Sequence, residues 1–490
     1  MHAATPAASA DAPPVKPALA SPLNVPTTDP PLYPPTVPPV TMRLPFFVRL
    51  PDMIQNPIRV YAEELYSGDI FARPFLGQNM YWVTSPALIE QILLTDADSF
   101  AKSPWETRVL GPMIGNGVLT AMGASWRFQR KATAPLFRHA DILGHVPAIT
   151  RAADTQVDRW RSLAERSGQS GPIVDDIERA MKDATFDVIA TTILAGIVPE
   201  EARIVKTADV AYMRHITWEF AAIVLQLPPW VWRPGKREME AAAVQLRGAM
   251  RSIVARRRAE IADNIAPTDV VGRLMAARHP DTGEPMSDEM IVNNLGTFLE
   301  AGHQTTAQAL TWALYLLARS PGWQERLRAE VRAVAGDGPI QAAHIEQLAL
   351  TTRVLKEAMR LYPPVATVVR IATRQVELAG HRLIPGSLAI IPLFALHRNR
   401  GIWEDADRFD PDRFLPERVA TFHRAQYIPF GFGPRTCLGL PLAMVEGIAI
   451  LATILRSVCI EWDGHHRPEP VSAIVLRPRG GMPLKLSMIS

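Results

Sequence analysis

The chain has 490 residues, of which 48% are hydrophobic, so it can bury a large core. Its formal net charge of +3 is too small to favour nucleic-acid binding. The two cysteines, Cys437 and Cys459, are too few for a disulfide framework and favour a reducing compartment, so we expect a cytoplasmic protein. Because no run of about 20 apolar residues occurs, we expect no transmembrane anchor.

The first 43 residues are rich in proline and alanine and carry few charges. They lack the basic start and the continuous apolar segment of a signal peptide. Closely spaced prolines exclude a helix and favour extended chain. The pattern therefore predicts a mobile tail over residues 1–43 and a single domain over residues 44–490.

Short β-like segments come first in the domain, at Phe71–Leu76 and Met80–Thr84. Lys102–Leu119 contains several prolines and glycines without a clear period, which predicts a loop. A helix is predicted from Ser125, with Trp126 and Arg130 on one face. Read alone, these two side chains form a structural aromatic–cation pair.

Helical spacing continues through the middle of the chain. Phe186–Gly196 is predicted to be a core helix, and Ala202–Leu227 and Glu238–Ile261 to be two long amphipathic helices. Three prolines interrupt the connection between the two long helices, which also carries Trp230 and Trp232.

A longer helix is predicted over Ser287–Ser320, with Ser287 near its N-cap. Ala301 and Gly302 remove side-chain bulk from it, and the hydroxyl of Thr305 can reach the carbonyl of Ala301 one turn earlier. On these residues alone, a close helix–helix contact is an open alternative.

Thr352–Leu361 is predicted to be a helix, and its Glu357 and Arg360 lie three residues apart on one face. Alternating segments and glycine turns near Gly380 and Gly386 indicate β-hairpins. The tetrapeptide Pro411–Phe414, with sequence PDRF, follows.

The stretch Pro429–Leu440 reads PFGFGPRTCLGL and leads into an apolar run with helical spacing. It predicts a glycine-rich loop that ends at a helix N-terminus, with the thiol of Cys437 at the junction. Unpaired backbone N–H groups and the helix dipole stabilise a thiolate there, and a thiolate is a good ligand for iron. A buried structural cysteine is the alternative from this residue type alone.

This stretch resembles the haem-binding loop of the cytochrome P450 family, whose pattern is F-x-x-G-x-R-x-C-x-G. The Trp126–Arg130 pair, the A-G-x-x-T helix and the E-x-x-R and PDRF segments resemble further motifs of that family, in the same order. The resemblance implies a mainly α protein with small β-sheets, the triangular haem-thiolate monooxygenase fold. Haem b would lie between the oxygen-binding helix and the helix that follows the cysteine loop.

The resemblance also implies roles for individual residues. Cys437 would be the axial metal ligand. The other haem contacts would be Trp126, Arg130, Ala301, Gly302, Arg370, Phe430, Gly431, Arg435 and Gly439. The substrate pocket would be lined by Val109, Met113, Phe298, Ala301, Val365, Ala366, Val368 and Ile474. Glu357, Arg360 and Arg413 would form a buried cluster that supports folding and haem retention.

On the oxygen side, the resemblance makes Thr305 a catalytic residue that assists proton delivery. The family usually has an acid immediately before this threonine, whereas this chain has Gln304. Glutamine orders water but does not ionise. Glu300 lies one turn earlier on the same face. We therefore expect Glu300, or a water chain held by Gln304, to supply protons.

The implied function is a monooxygenase that hydroxylates or epoxidises a small apolar substrate with dioxygen. Electrons would come ultimately from NAD(P)H through a ferredoxin or flavodoxin-type partner and its reductase. Trp230 and Trp232 would belong to a lid, where packing is favoured over membrane contact. The alternatives are peroxide-driven, isomerase or dehydratase chemistry on the same fold and, from another class, a non-catalytic helical small-molecule-binding protein.

Overall fold

The computed structural model describes residues 29–40, 46–168, 171–194, 197–262 and 269–489. The α-helices in this part of the chain are α1 (Phe46–Gln55), α2 (Pro86–Glu90), α3 (Pro104–Ile114), α4 (Gly123–Thr133), α5 (His139–Leu143), α6 (Val146–Ser167), α7 (Ile177–Thr192), α8 (Pro199–Arg214), α9 (Ile216–Val224), α10 (Lys236–Ala262), α11 (Val270–Ala276), α12 (Asp288–Ala318), α13 (Pro321–Ala335), α14 (Ala342–Ile345), α15 (Ala349–Leu361), α16 (Leu393–Leu396), α17 (Pro416–Val419) and α18 (Leu440–Ser457). Helices dominate, as predicted.

The strands form four small sheets. They are β1 (Ile70–Phe75), β2 (Gln78–Val83), β3 (Phe100–Lys102), β4 (Ile173–Asp176), β5 (Val368–Ala372), β6 (Val376–Leu378), β7 (His381–Leu383), β8 (Leu388–Ile391), β9 (Val458–Glu461), β10 (Pro470–Ser472), β11 (Leu476–Pro478) and β12 (Pro483–Met488). The largest sheet has the order β1-β2-β8-β5-β3 and is antiparallel except between β2 and β8. A second sheet has the order β4-β12-β9, and β6-β7 and β10-β11 are two-stranded.

Helix α12 runs through the core. It begins after Ser287, whose side chain accepts a hydrogen bond from the backbone N–H of Met290, as the sequence predicts. Most of its side chains are buried, but in the middle of the helix Ala301 is exposed and Thr305 is half-buried. A helix that is apolar almost all round is a core helix, so these two positions in the middle of α12 mark an interior space.

Helix α18 is the one described helix that is apolar and long enough to cross a membrane. Its side chains are mostly buried in the protein interior, where it packs against α6, α12 and α13. The same composition is typical of a core helix, and the packing explains why these residues are apolar.

The prediction of a loop over Lys102–Leu119 is wrong for its first half, which forms α3. The Ser103 side chain caps this helix by accepting from the backbone N–H of Trp105, and Pro104 occupies its first turn, where a missing N–H costs nothing. Val109, Leu110, Met113 and Ile114 then share one buried face. The prolines and glycines hid this helical spacing.

Other boundaries also differ from the prediction. The segment predicted as one helix over Ala202–Leu227 is divided into α8 and α9 at His215. The helix predicted over Phe186–Gly196 is the second half of α7, which ends at Thr192, and Gly196 lies outside the described residues.

The predicted mobile tail does not hold for residues 29–40. They are extended, as predicted, but Leu32 and Val37 are buried in the core. The carbonyls of Leu32 and Pro35 accept hydrogen bonds from Phe409 and Tyr362. Residues 1–28 and 41–43 of the predicted tail lie outside the described residues.

The connection between α9 and α10 carries Trp230 and Trp232, each of which is 80% exposed. The expectation that these side chains pack within a lid is therefore wrong. Arg233, which follows them, is buried and donates to Glu219 at 2.7 Å, and this contact fixes the connection to α9.

A fully buried ion pair fixes α15 to the chain behind the cysteine loop. Arg360 donates to both carboxylate oxygens of Glu357, at 2.7 and 2.8 Å, and also to the carbonyls of three residues between 397 and 408. The guanidinium of Arg413 lies 3.5 Å from the Glu357 carboxylate, which also accepts a hydrogen bond from the backbone N–H of Asp410. The structure thus brings the predicted cluster together.

This cluster predicts a large loss of stability in Glu357→Gln. The substitution leaves two buried guanidinium groups without a counter-charge, which costs on the order of 3–5 kcal/mol. The matched control is Glu200→Gln, because Glu200 makes the same two contacts with Arg203 at the same spacing on an exposed surface. That change is expected to have little effect on stability, because the ion pair is exposed to solvent. Urea unfolding measures both, and equal losses would contradict a structural role for the cluster.

Candidate functional site

A cavity of about 570 Å³ lies between α12, the loop before α18, α4 and β5. Its walls are mostly aliphatic and aromatic. Cys437 lines one wall, and Ala301 and Thr305 line another. Ala301 and Cys437 are exposed and Thr305 is half-buried, because all three face this interior space and not the outer surface.

The thiol of Cys437 lies at the start of α18, as predicted, with Gly439 as the N-cap residue. Its own backbone N–H donates to the carbonyl of Phe430 at 2.9 Å, which closes the loop. Burial raises the pKa of the thiol, while the N–H groups of Gly439 and Leu440 and the charge of Arg130 act in the opposite direction. The loop therefore aims hydrogen-bond donors and positive charge at the sulfur.

Two glycines of the cysteine loop have positive φ angles. Gly433 has φ +74°, and a Cβ atom there would overlap the carbonyl oxygen of Leu93, which belongs to a π-helical turn at Gln91–Thr95. Gly431 has φ +71° but open space around it. The left-handed conformation explains why glycine is favoured at both positions. At Gly433 the close approach of the Leu93 backbone also excludes any side chain.

Three arginines from separate elements converge on the cavity. They are Arg130 on α4, Arg370 on β5 and Arg435 in the cysteine loop. Within the described part of the chain their guanidinium groups hydrogen-bond only backbone carbonyls, those of Thr436, Val369 and Ala121. Burial, with repulsion from Arg370, lowers the pKa of Arg435 to about 10.

Trp126 also lines the cavity. The guanidinium carbon of Arg435 is 3.9 Å from the centre of its ring, so among the described residues the cation–π contact of Trp126 is made by Arg435 and not by the predicted partner, Arg130. Lys102 adds a further positive charge to the wall and pairs with Glu106 on α3. Sequence reasoning missed both Lys102 and Glu106.

The residues present fit haem. Cys437 supplies a soft ligand for iron, and the apolar walls suit a flat macrocycle. Buried guanidinium groups that lack carboxylate partners are costly, and the two propionates of haem would supply the missing negative charge. Phe430, Gly431 and Gly439 of the predicted haem contacts also line the cavity.

On the opposite wall, the hydroxyl of Thr305 donates to the carbonyl of Ala301 at 2.7 Å, as the spacing predicts. Ala301 presents only a methyl group to the cavity. Gly302 also lines it, but a Cβ atom there would approach Ile189 of α7. The helix–helix contact left open by the sequence therefore applies to Gly302.

The two polar candidates on α12 are placed differently. Glu300 lines the cavity. Gln304 does not, since its side-chain amide donates to Asp209 of α8 at 2.7 Å. A water chain held in the cavity by Gln304 is therefore not supported. Nothing in the sequence pattern indicates Asp209, because α8 reaches α12 only through the tertiary fold.

Most predicted pocket residues line the cavity. The group comprises Val109, Phe298, Ala301, Val365, Val368 and Ile474. Met113 and Ala366 do not, because both are packed in the core, each 1% exposed. Sequence reasoning missed Phe71 and Trp82 of the largest sheet and Phe220 of α9, which also line the cavity.

Comparison with known proteins gives consistent matches. Residues 32–484 match the family model described as Cytochrome P450. Cyclooctatin synthase of Streptomyces melanosporofaciens is 31% identical over 440 residues, covering 88% of this chain and 90% of that protein. Cytokinin hydroxylase of Arabidopsis thaliana is 28% identical over 82% of this chain and 78% of that protein. The crystal structure of the cytochrome P450DA heme domain superposes with a TM-score of 0.74 at 24% identity over 86% of this chain and 90% of that one, a likeness in fold.

The loop geometry predicts unequal effects of two alanine substitutions. Gly431→Ala adds only the strain of a left-handed alanine, on the order of 1 kcal/mol. Gly433→Ala adds the same strain and also forces the loop away from Leu93, so we expect a further 1–3 kcal/mol, as for overpacking, and weaker haem retention. Thermal unfolding and the haem content of the purified variants measure the difference. Equal behaviour of the two variants would show that the contact with Leu93 is unimportant.

Proposed function

Because this chain belongs to the cytochrome P450 family and is a haem-dependent monooxygenase, we propose that it inserts one atom of dioxygen into a small apolar organic molecule. The observation that carries this proposal is the placement of the Cys437 thiol and of Ala301 and Thr305 on different walls of one apolar cavity. The products would be a hydroxylated or epoxidised substrate and water.

The chain's own residues divide the work. Cys437 would hold the iron, and the N–H groups of Gly439 and Leu440 direct hydrogen bonds at its sulfur. Arg130, Arg370 and Arg435 would neutralise the propionates. The haem, when bound, supplies the oxygen-activating chemistry, which thiolate ligation favours. Thr305 holds a hydroxyl at the oxygen-side wall, where it orients a proton donor.

The substrate class follows from the walls. Val365 and Val368 beside β5, Phe298 on α12 and Phe220 on α9 surround the space with hydrocarbon. A molecule without charge, such as a terpenoid, a fatty-acid chain or an aromatic compound, suits these contacts, since shape and apolar burial would hold it. Glu300 is an acid in the same wall, so a substrate hydroxyl has one polar partner available there.

Electrons would come from a separate ferredoxin or flavodoxin-type protein and its reductase, with NAD(P)H as the source. Arg127 and Lys131 are exposed on α4, the helix whose Arg130 contacts the cysteine loop. A positive surface near the thiolate side favours docking of an acidic redox protein.

The two cysteines form no disulfide, which suits a reducing, cytoplasmic setting.

The proposal predicts the spectrum of the purified protein. After reduction and addition of carbon monoxide, the haem-loaded chain is expected to show the red-shifted Soret band of thiolate ligation. Cys437→Ala should abolish the band, whereas Cys459→Ala should retain it, because Cys459 lies in β9 and outside the cavity. A band that survives Cys437→Ala would contradict the assignment of the ligand.

Turnover with reductase and NAD(P)H, compared with turnover on added peroxide, then distinguishes monooxygenase from peroxide-driven chemistry.

A further inference from the structure

Asp209 is a buried acid that reaches the oxygen-side helix from another element. It lies on α8 and is 4% exposed. Its Oδ2 atom accepts a hydrogen bond from the Nε2 atom of Gln304 at 2.7 Å. Gln304 is the residue immediately before Thr305. The hydrogen bond therefore brings a carboxylate to the position on α12 where this chain has glutamine and no acid.

The carboxyl groups of Asp209 and Glu300 interact electrostatically. Each has a buried oxygen, Oδ1 of Asp209 and Oε2 of Glu300, that no donor in the described part of the chain reaches. Two facing carboxylates cannot both stay ionised at this burial, and one shared proton satisfies both groups. Burial and mutual repulsion therefore favour a pair that shares one proton.

The proton belongs mainly to Glu300. Burial, together with the negative charge of Asp209, raises the pKa of Glu300 well above its usual value. Burial also disfavours the charge on Asp209, but contacts with His303, Glu300 and Gln304 outweigh it and lower the pKa of that group. Glu300 is thus the acid of the pair, and Asp209 is its anionic acceptor.

His303 supports the charge on Asp209. Its Nδ1 atom is 3.0 Å from the carbonyl of Leu299, which only accepts, so Nδ1 carries a hydrogen. Its Nε2 atom faces Oδ2 of Asp209 at 3.6 Å. The ring therefore lies beside the carboxylate of Asp209 and helps to lower its pKa.

Glu300 connects the pair to the cavity. It lines the wall next to Ala301, and the carbonyl of Ala301 accepts the Thr305 hydroxyl. A proton released by Glu300 thus enters the cavity one helical turn from Thr305. Asp209 itself does not line the cavity, so it can act only through Glu300.

We propose that Asp209 and Glu300 form a proton-donating pair that replaces the acid missing beside Thr305. In each cycle the O–H bond of Glu300 breaks and its proton passes to water held by the Thr305 hydroxyl. Two carboxylates are then left facing each other, and their repulsion draws a proton back from solvent, which restores the pair. No electron moves within the pair. Glu300 is the donor and Asp209 is a positioning residue that sets its proton affinity. The inference rests on the proposed monooxygenase function.

The chain contains a matched control for this arrangement. One turn after Gln304, the side-chain amide of Gln308 donates at 2.8 Å to the buried acid Glu178 of α7. Glu178 pairs with Lys182 at 2.6 Å and does not line the cavity. The two sites share a buried acid and a glutamine of α12, but only one of them continues to the cavity.

The first test is the infrared spectrum of the haem-loaded ferric protein. We expect the C=O band of a buried protonated carboxylic acid, lost in Glu300→Gln and shifted in Asp209→Asn, where an amide replaces the carboxylate acceptor. Glu178→Gln should leave the band unchanged. Absence of the band from the wild-type protein, or its persistence in Glu300→Gln, overturns the proposal without reference to turnover.

The second test measures oxygen-dependent NADPH oxidation by the holoenzyme, supplied with a surrogate ferredoxin and its reductase and no added substrate. Asp209→Asn keeps the hydrogen bond from Gln304, and we expect it to slow oxidation on the order of tenfold or more and to change the solvent deuterium isotope effect. Combining Asp209→Asn with Gln304→Glu returns a carboxylate to the contact between positions 209 and 304. The double variant should therefore recover much of the rate of NADPH oxidation.

The outcomes separate the two claims. If Asp209→Asn behaves like Glu178→Gln, or if the double variant is no faster than Asp209→Asn, the pair has no role in proton delivery. If the carbon monoxide complex of the wild-type protein lacks the thiolate band, the proposed function itself fails. The infrared result stands apart from both, since it reports the proton on Glu300 directly.

Discussion

The structure depends on an excess of positive charge around an interior cavity. Arg130, Arg370 and Arg435 come from a helix, a strand and a loop that are far apart in the chain, yet their guanidinium groups meet at one wall without carboxylate partners among the described residues. Burying such charges is unfavourable unless they are paired. The family to which the chain belongs binds haem, whose propionates supply the negative charge, so we infer that cofactor binding completes this part of the fold.

The surrounding elements keep that wall rigid. The Glu357–Arg360 pair is fully buried and ties α15 to carbonyls of the segment that precedes the cysteine loop. Gly433 then lets the loop pack directly on the backbone at Leu93. Because both contacts are made by buried groups, they hold the thiol of Cys437 and the guanidinium of Arg435 at the cavity wall.

Sequence reasoning succeeded where a pattern is local. The cysteine loop, the i,i+3 pair Glu357–Arg360 and the i,i+4 contact of Thr305 with Ala301 each follow from residues close together in the chain. It failed where proline and glycine conceal a helix, as in Pro104–Ile114, because a cap at Ser103 and a buried apolar face outweigh the local breakers. It also missed Asp209, whose role depends on how α8 crosses α12. Such a contact has no signature in spacing or composition.

The most direct test of the central claim compares two ligands that differ only in charge. Apoprotein is titrated with haem and with the dimethyl ester of haem, whose propionates are neutral, and dissociation constants are measured from the Soret absorbance. If the arginines hold the propionates, the wild-type protein should bind haem far more tightly than the ester. Arg435→Gln should reduce the difference between the two dissociation constants. Equal affinity of the wild-type protein for the two ligands would contradict the account.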